Sequence, residues 1–294
     1  MTFAPDLSGR IALVAGGTRG AGRGTSIELG AAGATVYVTG RTTRAEQSPM
    51  ARPETIEETA ELVEAAGGTG IAVRVDHAED SQVAALMETI RERHGRLDVL
   101  VNDIWGADSM MEWEGPFWTQ DLENGFRVLR QAVDTHLRTS WHAAPLLLES
   151  DGGLVVEVTD GASDRYRGTL FYDMAKLSVI RLAKGQAEDF RPHGVAVVAV
   201  SPGFLRSEAM LDHFGVSEET WRDGIAEDEH FAWSETPHYV GRGITGIAAD
   251  PNRMELTGTV TASWELYKRY GFTDLDGTQP DWGAHARDDL GMEP

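Results

Sequence analysis

Short apolar runs alternate with longer stretches that repeat every three to four residues, from residue 11 almost to the end of the chain. Ile11–Ala15, Thr35–Thr39, Ile71–Val75, Leu97–Val101, Leu154–Thr159 and Val195–Val200 are rich in valine and isoleucine. Runs of that kind read as parallel strands buried on both faces. Between them Gly22–Ala32, Pro53–Ala66, Asp80–His94, Leu122–Leu148 and Phe171–Phe190 carry a helical period. A last strand is expected at Gly258–Ala262, after a helix near Pro237–Ala249. Strand–helix alternation of this length predicts an α/β fold, a single doubly wound parallel sheet with helices on both faces. Residues 1–262 are read as one domain, and 263–294 as a C-terminal extension of it.

Aromatic side chains divide unevenly along this pattern. Phe3 and Tyr37 alone precede Trp105, and all eight tryptophans fall between Trp105 and Trp282. The early strands of a doubly wound sheet hold the cofactor. The later half is therefore the candidate for an apolar substrate pocket, and the partner expected is a hydrophobic small molecule. Large residues filling that half's core would give the same distribution.

Charge narrows the partners. The 294 residues carry 26 basic and 47 acidic side chains, a net −21. Nucleic acid and anionic membrane surfaces are disfavoured, because both attract basic faces. No apolar run approaches a membrane span, and the first residues lack the pattern of a secretion signal, so a cytoplasmic location is expected. Cysteine is absent, which removes disulfides and thiolate catalysis. The histidines are scattered and no metal site is expected. GxSxG, GK[ST] and HExxH are also missing.

The first strand runs directly into Gly16-Gly17-Thr18-Arg19-Gly20-Ala21-Gly22. A glycine turn between strand and helix lets backbone amides reach a pyrophosphate at the helix N-terminus. Gly16, Thr18, Arg19, Gly20 and Gly22 are thus the candidate cradle. An NAD site would place an acid after strand two, but Val38-Thr39-Gly40-Arg41 ends on arginine. Arg19 and Arg41 together suit a 2′-phosphate, which points to NADP(H). Further on, Tyr172 and Lys176 stand four apart in a helical stretch and so share one face. Lysine occurs only three times in the chain, which makes Lys176 conspicuous. A phenol near an ammonium is a proton donor or acceptor with a lowered pKa.

This combination resembles the short-chain dehydrogenase/reductase family, with its TGxxxGxG turn and YxxxK pair. The resemblance covers roughly residues 8–262. It implies a Rossmann-like fold, a carbonyl–alcohol oxidoreductase, and a homodimer or homotetramer packed through the long helices. It implies that Asp76 caps the adenine and that Asn102 belongs to the motif after strand four. Pro202, Gly203 and Ser207 correspond to the turn beside the nicotinamide. Lys176 would also hold the nicotinamide ribose. Residues 204–235 correspond to a lid over the substrate; within 208–235 nine acids from Glu208 to Glu235 stand against the single arginine Arg222.

Two positions depart from the family pattern. Asp160 stands where a serine usually closes strand five, and His136 where an asparagine usually bends the fourth helix. A carboxylate can only accept a hydrogen bond, whereas a protonated carboxyl can donate one. A dry pocket would keep Asp160 protonated as a serine substitute. An ionised Asp160 would favour a substrate with positive charge or a hydroxyl donor next to the reacting group. Thr159 and Ser163 are alternative sources of the missing hydroxyl. The same departures leave a second function open, a cofactor-binding sensor or assembly protein with impaired chemistry.

Overall fold

The structure, a computed structural model, describes residues 3–294. Seven strands form one parallel sheet: β1 (Ile11–Ala15), β2 (Thr35–Gly40), β3 (Thr69–Arg74), β4 (Val99–Asn102), β5 (Leu154–Val158), β6 (Ala196–Ser201) and β7 (Val260–Ala262). Their order is β3-β2-β1-β4-β5-β6-β7. β1 pairs with β2 on one side and with β4 on the other, so the winding reverses at β1. The crevice beyond the C-terminal ends of these strands is where such sheets bind ligands.

Side chains alternate across the strands into two cores. Val14, Val36, Val101, Val156 and Val198 face one side, where they meet Leu29 and Ile244. Leu13, Tyr37, Leu100, Val155 and Val197 face the other, against Leu86, Leu146 and Ile180. The first layer belongs to α1 (Gly20–Ala31), α2 (Ile56–Ala65) and α8 (Pro237–Ala249), and the second to α3 (Asp80–His94), α5 (Thr135–Leu147) and α6 (Leu170–Phe190). Burial on both faces explains why the strands read as unbroken apolar runs.

Several boundaries differ from the sequence pattern. α2 begins at Ile56 rather than Pro53, because the Thr55 side chain caps it by accepting from the Glu58 amide. β4 starts at Val99; Asp98, inside the expected strand, instead accepts from the Ile11 amide at 2.8 Å. The expected helix Leu122–Leu148 is divided into α4 (Leu122–Leu129), a π turn over Arg130–Asp134, and α5. Such wide turns mark places where a helix is re-aimed. Three short helices had no strong sequence pattern: α7 (Glu208–His213), α9 (Ser263–Tyr270) and α10 (Trp282–Asp288). Among the described residues no helix is long and apolar enough to cross a membrane.

Candidate active site

β1 delivers the chain into the glycine turn, and backbone contacts explain the glycines. Gly16 has φ +93°, and a Cβ there would lie 2.2 Å from the Asp103 carbonyl oxygen beyond β4. A Cβ on Gly22 would lie 2.3 Å from the Gly16 carbonyl oxygen. Turn, helix and neighbouring strand thus touch through backbone alone. At the start of α1 the Gly20 amide donates to Glu208 Oε2 at 2.8 Å. Arg19 Nε donates to Glu54 at 3.2 Å, while its Nη2 is buried with no partner. A carboxylate seated on the helix N-terminus and an unsatisfied guanidinium nitrogen beside it both fit a phosphate-bearing cofactor.

A cavity of about 940 Å³ extends from this turn across the ends of β1, β4 and β5. Gly16, Thr18, Arg19, Gly20, Arg41, Asp76, Pro202, Gly203 and Ser207 line it, as the sequence reading expects of a cofactor site. Arg41 lies 3.9 Å from Asp76. The other two arginines of this region turn away, Arg23 to Glu58 and Arg44 to Glu61. Ser207 caps α7 by accepting from the Met210 amide. Gly22 shapes the turn without lining the cavity. Asn102 is also off the cavity surface, because its amide nitrogen is drawn inward to Ser140 at 2.9 Å and to Glu157 at 3.0 Å.

Tyr172 and Lys176 reach the other end of the cavity from α6. The Tyr172 hydroxyl donates to Asp160 Oδ2 at 2.6 Å. Its ring is enclosed by Trp105, edge-on at 5.3 Å, and Trp113 at 5.1 Å. Burial first, and the Asp160 carboxylate next, push the phenol far above its ordinary pKa; the opposing cation is Arg167. The shift thus runs opposite to the lowering expected from Lys176. Lys176 Nζ sits over the Trp105 ring at 4.4 Å and 5.5 Å from the centre of the Tyr172 ring. Burial holds its pKa down, against the pull of Asp160 and Asp103. Thr159 donates its hydroxyl to the Lys176 carbonyl at 2.9 Å, and Ser163 Oγ turns to the Glu293 carbonyl at 3.4 Å. Neither of these hydroxyls is free to replace the serine.

His136 is buried behind the cavity wall rather than in it. Its ring nitrogens face Glu157 Oε2 at 2.7 Å and the Ile104 carbonyl at 3.0 Å. Ile104 lines the cavity and leads into Trp105, so His136 acts on the site through that residue and does not itself line the cavity. Further polar residues line the cavity that sequence reasoning did not single out, among them Asp103, His77 and Asp108. Asp103 follows Asn102, and burial raises its carboxyl to about 7 despite the Lys176 charge. His77 bridges Thr39 at 2.8 Å and Thr139 at 2.7 Å, and burial lowers it to about 3. A neutral imidazole is thereby built into the wall.

The family model described as short chain dehydrogenase matches residues 10–214. The chain belongs to the short-chain dehydrogenase family. Dehydrogenase/reductase SDR family member 1 of Homo sapiens is 32% identical over 280 residues, covering 94% of this chain and 86% of that one. The 3-oxoacyl-[acyl-carrier-protein] reductase of a Synechocystis strain is 28% identical over 254 residues, covering 86% and 94%. Among solved structures, a putative dehydrogenase from Xanthomonas campestris superposes with a TM-score of 0.76 at 22% identity, covering 94% and 95% of the two chains, a likeness of fold. The protein is thus an oxidoreductase of a family that uses nicotinamide cofactors.

In this short-chain dehydrogenase the aromatic residues of the second half take separate jobs. Trp105, Trp113, Phe204, Trp264 and Trp282 line the cavity. Met110 and Met111 pack instead on Phe171 and Val128, while Phe117 and Trp118 are exposed. In the lid, Phe214 and Trp221 gather around the fully buried Phe231. Buried Arg206 braces the lid from within through Glu218 at 3.0 Å and the Ser234 carbonyl at 2.6 Å, and it stacks on Trp221. The tail is clasped to the lid. Trp233 stacks on His285 at 4.9 Å, and Arg222 pairs with Asp276 at 3.0 Å.

Proposed function

We propose that the protein is an NADP(H)-dependent reductase acting between a carbonyl and an alcohol on a hydrophobic small molecule. The observation that carries this is one cavity with the glycine turn, Arg19 and Arg41 at one end and Tyr172 and Lys176 at the other. Arg19 and Arg41 would hold the 2′-phosphate, the amides around Gly20 the pyrophosphate, and Lys176 the nicotinamide ribose. The bound cofactor supplies the hydride.

Tyr172 then has one task, to pass its hydroxyl proton to the oxygen that gains negative charge. The Asp160 contact keeps that proton on the phenol, so the residue stands ready as an acid, which favours reduction over oxidation. Lys176 offsets the phenolate left behind. Trp105 and Trp113 exclude water from this step. The test is NADPH consumption with a panel of hydrophobic ketones and aldehydes. On any ketone that is turned over, Tyr172→Phe is expected to lower kcat at least about 100-fold. Full turnover by that variant overturns the assignment. If no hydride moves from NADPH to any of them, the sensor reading takes its place.

Assembly as a homodimer or homotetramer is part of the proposal. Leu122 and Phe126 on α4, Leu137 and Trp141 on α5 and Met174 on α6 are all exposed, Trp141 at 71%. An exposed apolar face of this kind suits a second copy. A monomer mass by light scattering at micromolar concentration would remove it.

A further inference from the structure

Resting on the reductase reading, we propose that the substrate carries its own positive charge: it is an amino ketone, or the corresponding amino alcohol, whose ammonium binds Asp160 one or two carbons from the reacting carbon. The argument begins with a shortage of donors. A carbonyl oxygen that receives hydride develops negative charge and needs hydrogen-bond donors. Tyr172 is one. The hydroxyls around it are committed, Thr159 to the Lys176 carbonyl and Ser201 to the Pro202 carbonyl at 2.8 Å. Where a second donor is needed the wall presents Asp160, which only accepts.

The same wall is well made for a cation. Asp160 lines the cavity, is half-buried, and takes the Tyr172 hydroxyl on one oxygen only. Its other oxygen has no protein partner among the described residues. Asp108, held by the Trp105 indole N–H, lines the cavity too. Trp105 and Trp113 line the same cavity, and indole rings attract cations. The charged groups that act on Tyr172 and Lys176 here are Asp160, Asp108, Asp103 and Arg167. Arg167 is engaged by the Ser163 and Arg165 carbonyls at 2.6 and 3.0 Å, and Lys176 by the Trp105 face. Arg167 is not among the lining residues, so at this end two lining carboxylates, Asp160 and Asp108, share the wall with the single ammonium of Lys176.

An ammonium on Asp160 resolves both points. One N–H pairs with the carboxylate, and another reaches the adjacent carbonyl oxygen within the substrate. The substrate thereby brings the donor that the chain lacks. The step balances without it: hydride from the reduced nicotinamide forms the C–H bond, the C=O π pair moves to oxygen, and oxygen takes the Tyr172 proton. The ammonium keeps all its bonds.

The test compares β-aminopropiophenone with its neutral isostere butyrophenone, using NADPH and the intact protein. Wild type is expected to favour the amine in kcat/KM by about tenfold or more, the value of one well-formed charged contact. Asp160→Asn should abolish that preference, and Asp160→Ser should turn it toward butyrophenone. A second readout is calorimetric binding of the amino alcohol derived from β-aminopropiophenone, expected to weaken about tenfold or more in Asp160→Asn. Butyrophenone reduced as well as the amine, or amino alcohol binding unchanged in Asp160→Asn, overturns the inference and leaves the reductase reading standing. If hydride passes from NADPH to no ketone, both fall together.

Discussion

One substitution made in two helices separates packing from propensity. Gly24 lies in α1, and a Cβ there would stand 2.1 Å from the Pro237 carbonyl oxygen and 2.7 Å from the Pro237 Cβ, at the start of α8. Gly185 lies in α6 with nothing within 4 Å of the same built atom. Each Gly→Ala change gains about 0.8–1 kcal/mol of helix propensity. At Gly185 nothing opposes that gain, so Gly185→Ala should raise the melting temperature by roughly 1–2 °C. At Gly24 the obstacle is backbone, which cannot rotate aside. The two helices must part by about 1 Å or more to recover normal contact. Overpacking of that kind costs about 1–3 kcal/mol and more when backbone has to move, which exceeds the propensity gain. Gly24→Ala should therefore lower the melting temperature by about 1–4 °C. Because α1 begins at Gly20, the same displacement should weaken NADPH binding, whereas Gly185→Ala leaves it alone. Thermal unfolding by circular dichroism and NADPH titration by calorimetry read both effects. Equal stability of the two variants would refute the packing argument.

Other expectations concern charge. Glu208→Gln keeps an acceptor for the Gly20 amide but removes the anion, and should tighten NADPH binding roughly three- to tenfold; unchanged affinity would mean the carboxylate does not compete. Arg41→Ala should weaken NADPH about tenfold and NADH little, since one charged phosphate contact is lost; equal loss for both cofactors contradicts the 2′-phosphate assignment. Burial lifts Glu235 from 4.5 to about 8, opposed by the Ser263 hydroxyl. The folded protein therefore holds a proton that the unfolded chain has released. Stability should decline as pH rises from about 4.5 through about 8, and level off above. Glu235→Gln, which keeps the acceptor for Ser263, should flatten that decline in melting curves; a wild-type stability rising over this range would exclude the effect.

What could be read from sequence depended on how local the signal was. Strands buried on both faces announce themselves as valine-rich runs, and the glycine turn and the Tyr172/Lys176 spacing each lie within a few residues. Direction was harder. Arg19, Arg23, Arg41 and Arg44 look alike in the chain, yet Glu58 and Glu61 on α2 draw Arg23 and Arg44 off the cavity. Asn102 and His136 share one buried partner, Glu157 on β5, and that partner holds both behind the wall. Within Trp105–Trp118, burial of Met110 and Met111 under Phe171 separates the cavity-lining tryptophans from exposed Phe117 and Trp118. Glu208, nearly 190 residues from Gly20, carries no local sign of its contact with the first helix.

That contact gives the lid a say in how the enzyme fills. The carboxylate on the helix N-terminus comes from the first residue of α7, which opens the lid. A phosphate arriving there has to evict it, and the lid then loses one of its tethers. Linkage runs in both directions, so whatever steadies that tether disfavours the cofactor, and whatever loosens it helps the cofactor in. The empty enzyme would thus rest partly shut, and loading the nicotinamide first would clear the way for the second reactant: an order of addition written into a single glutamate.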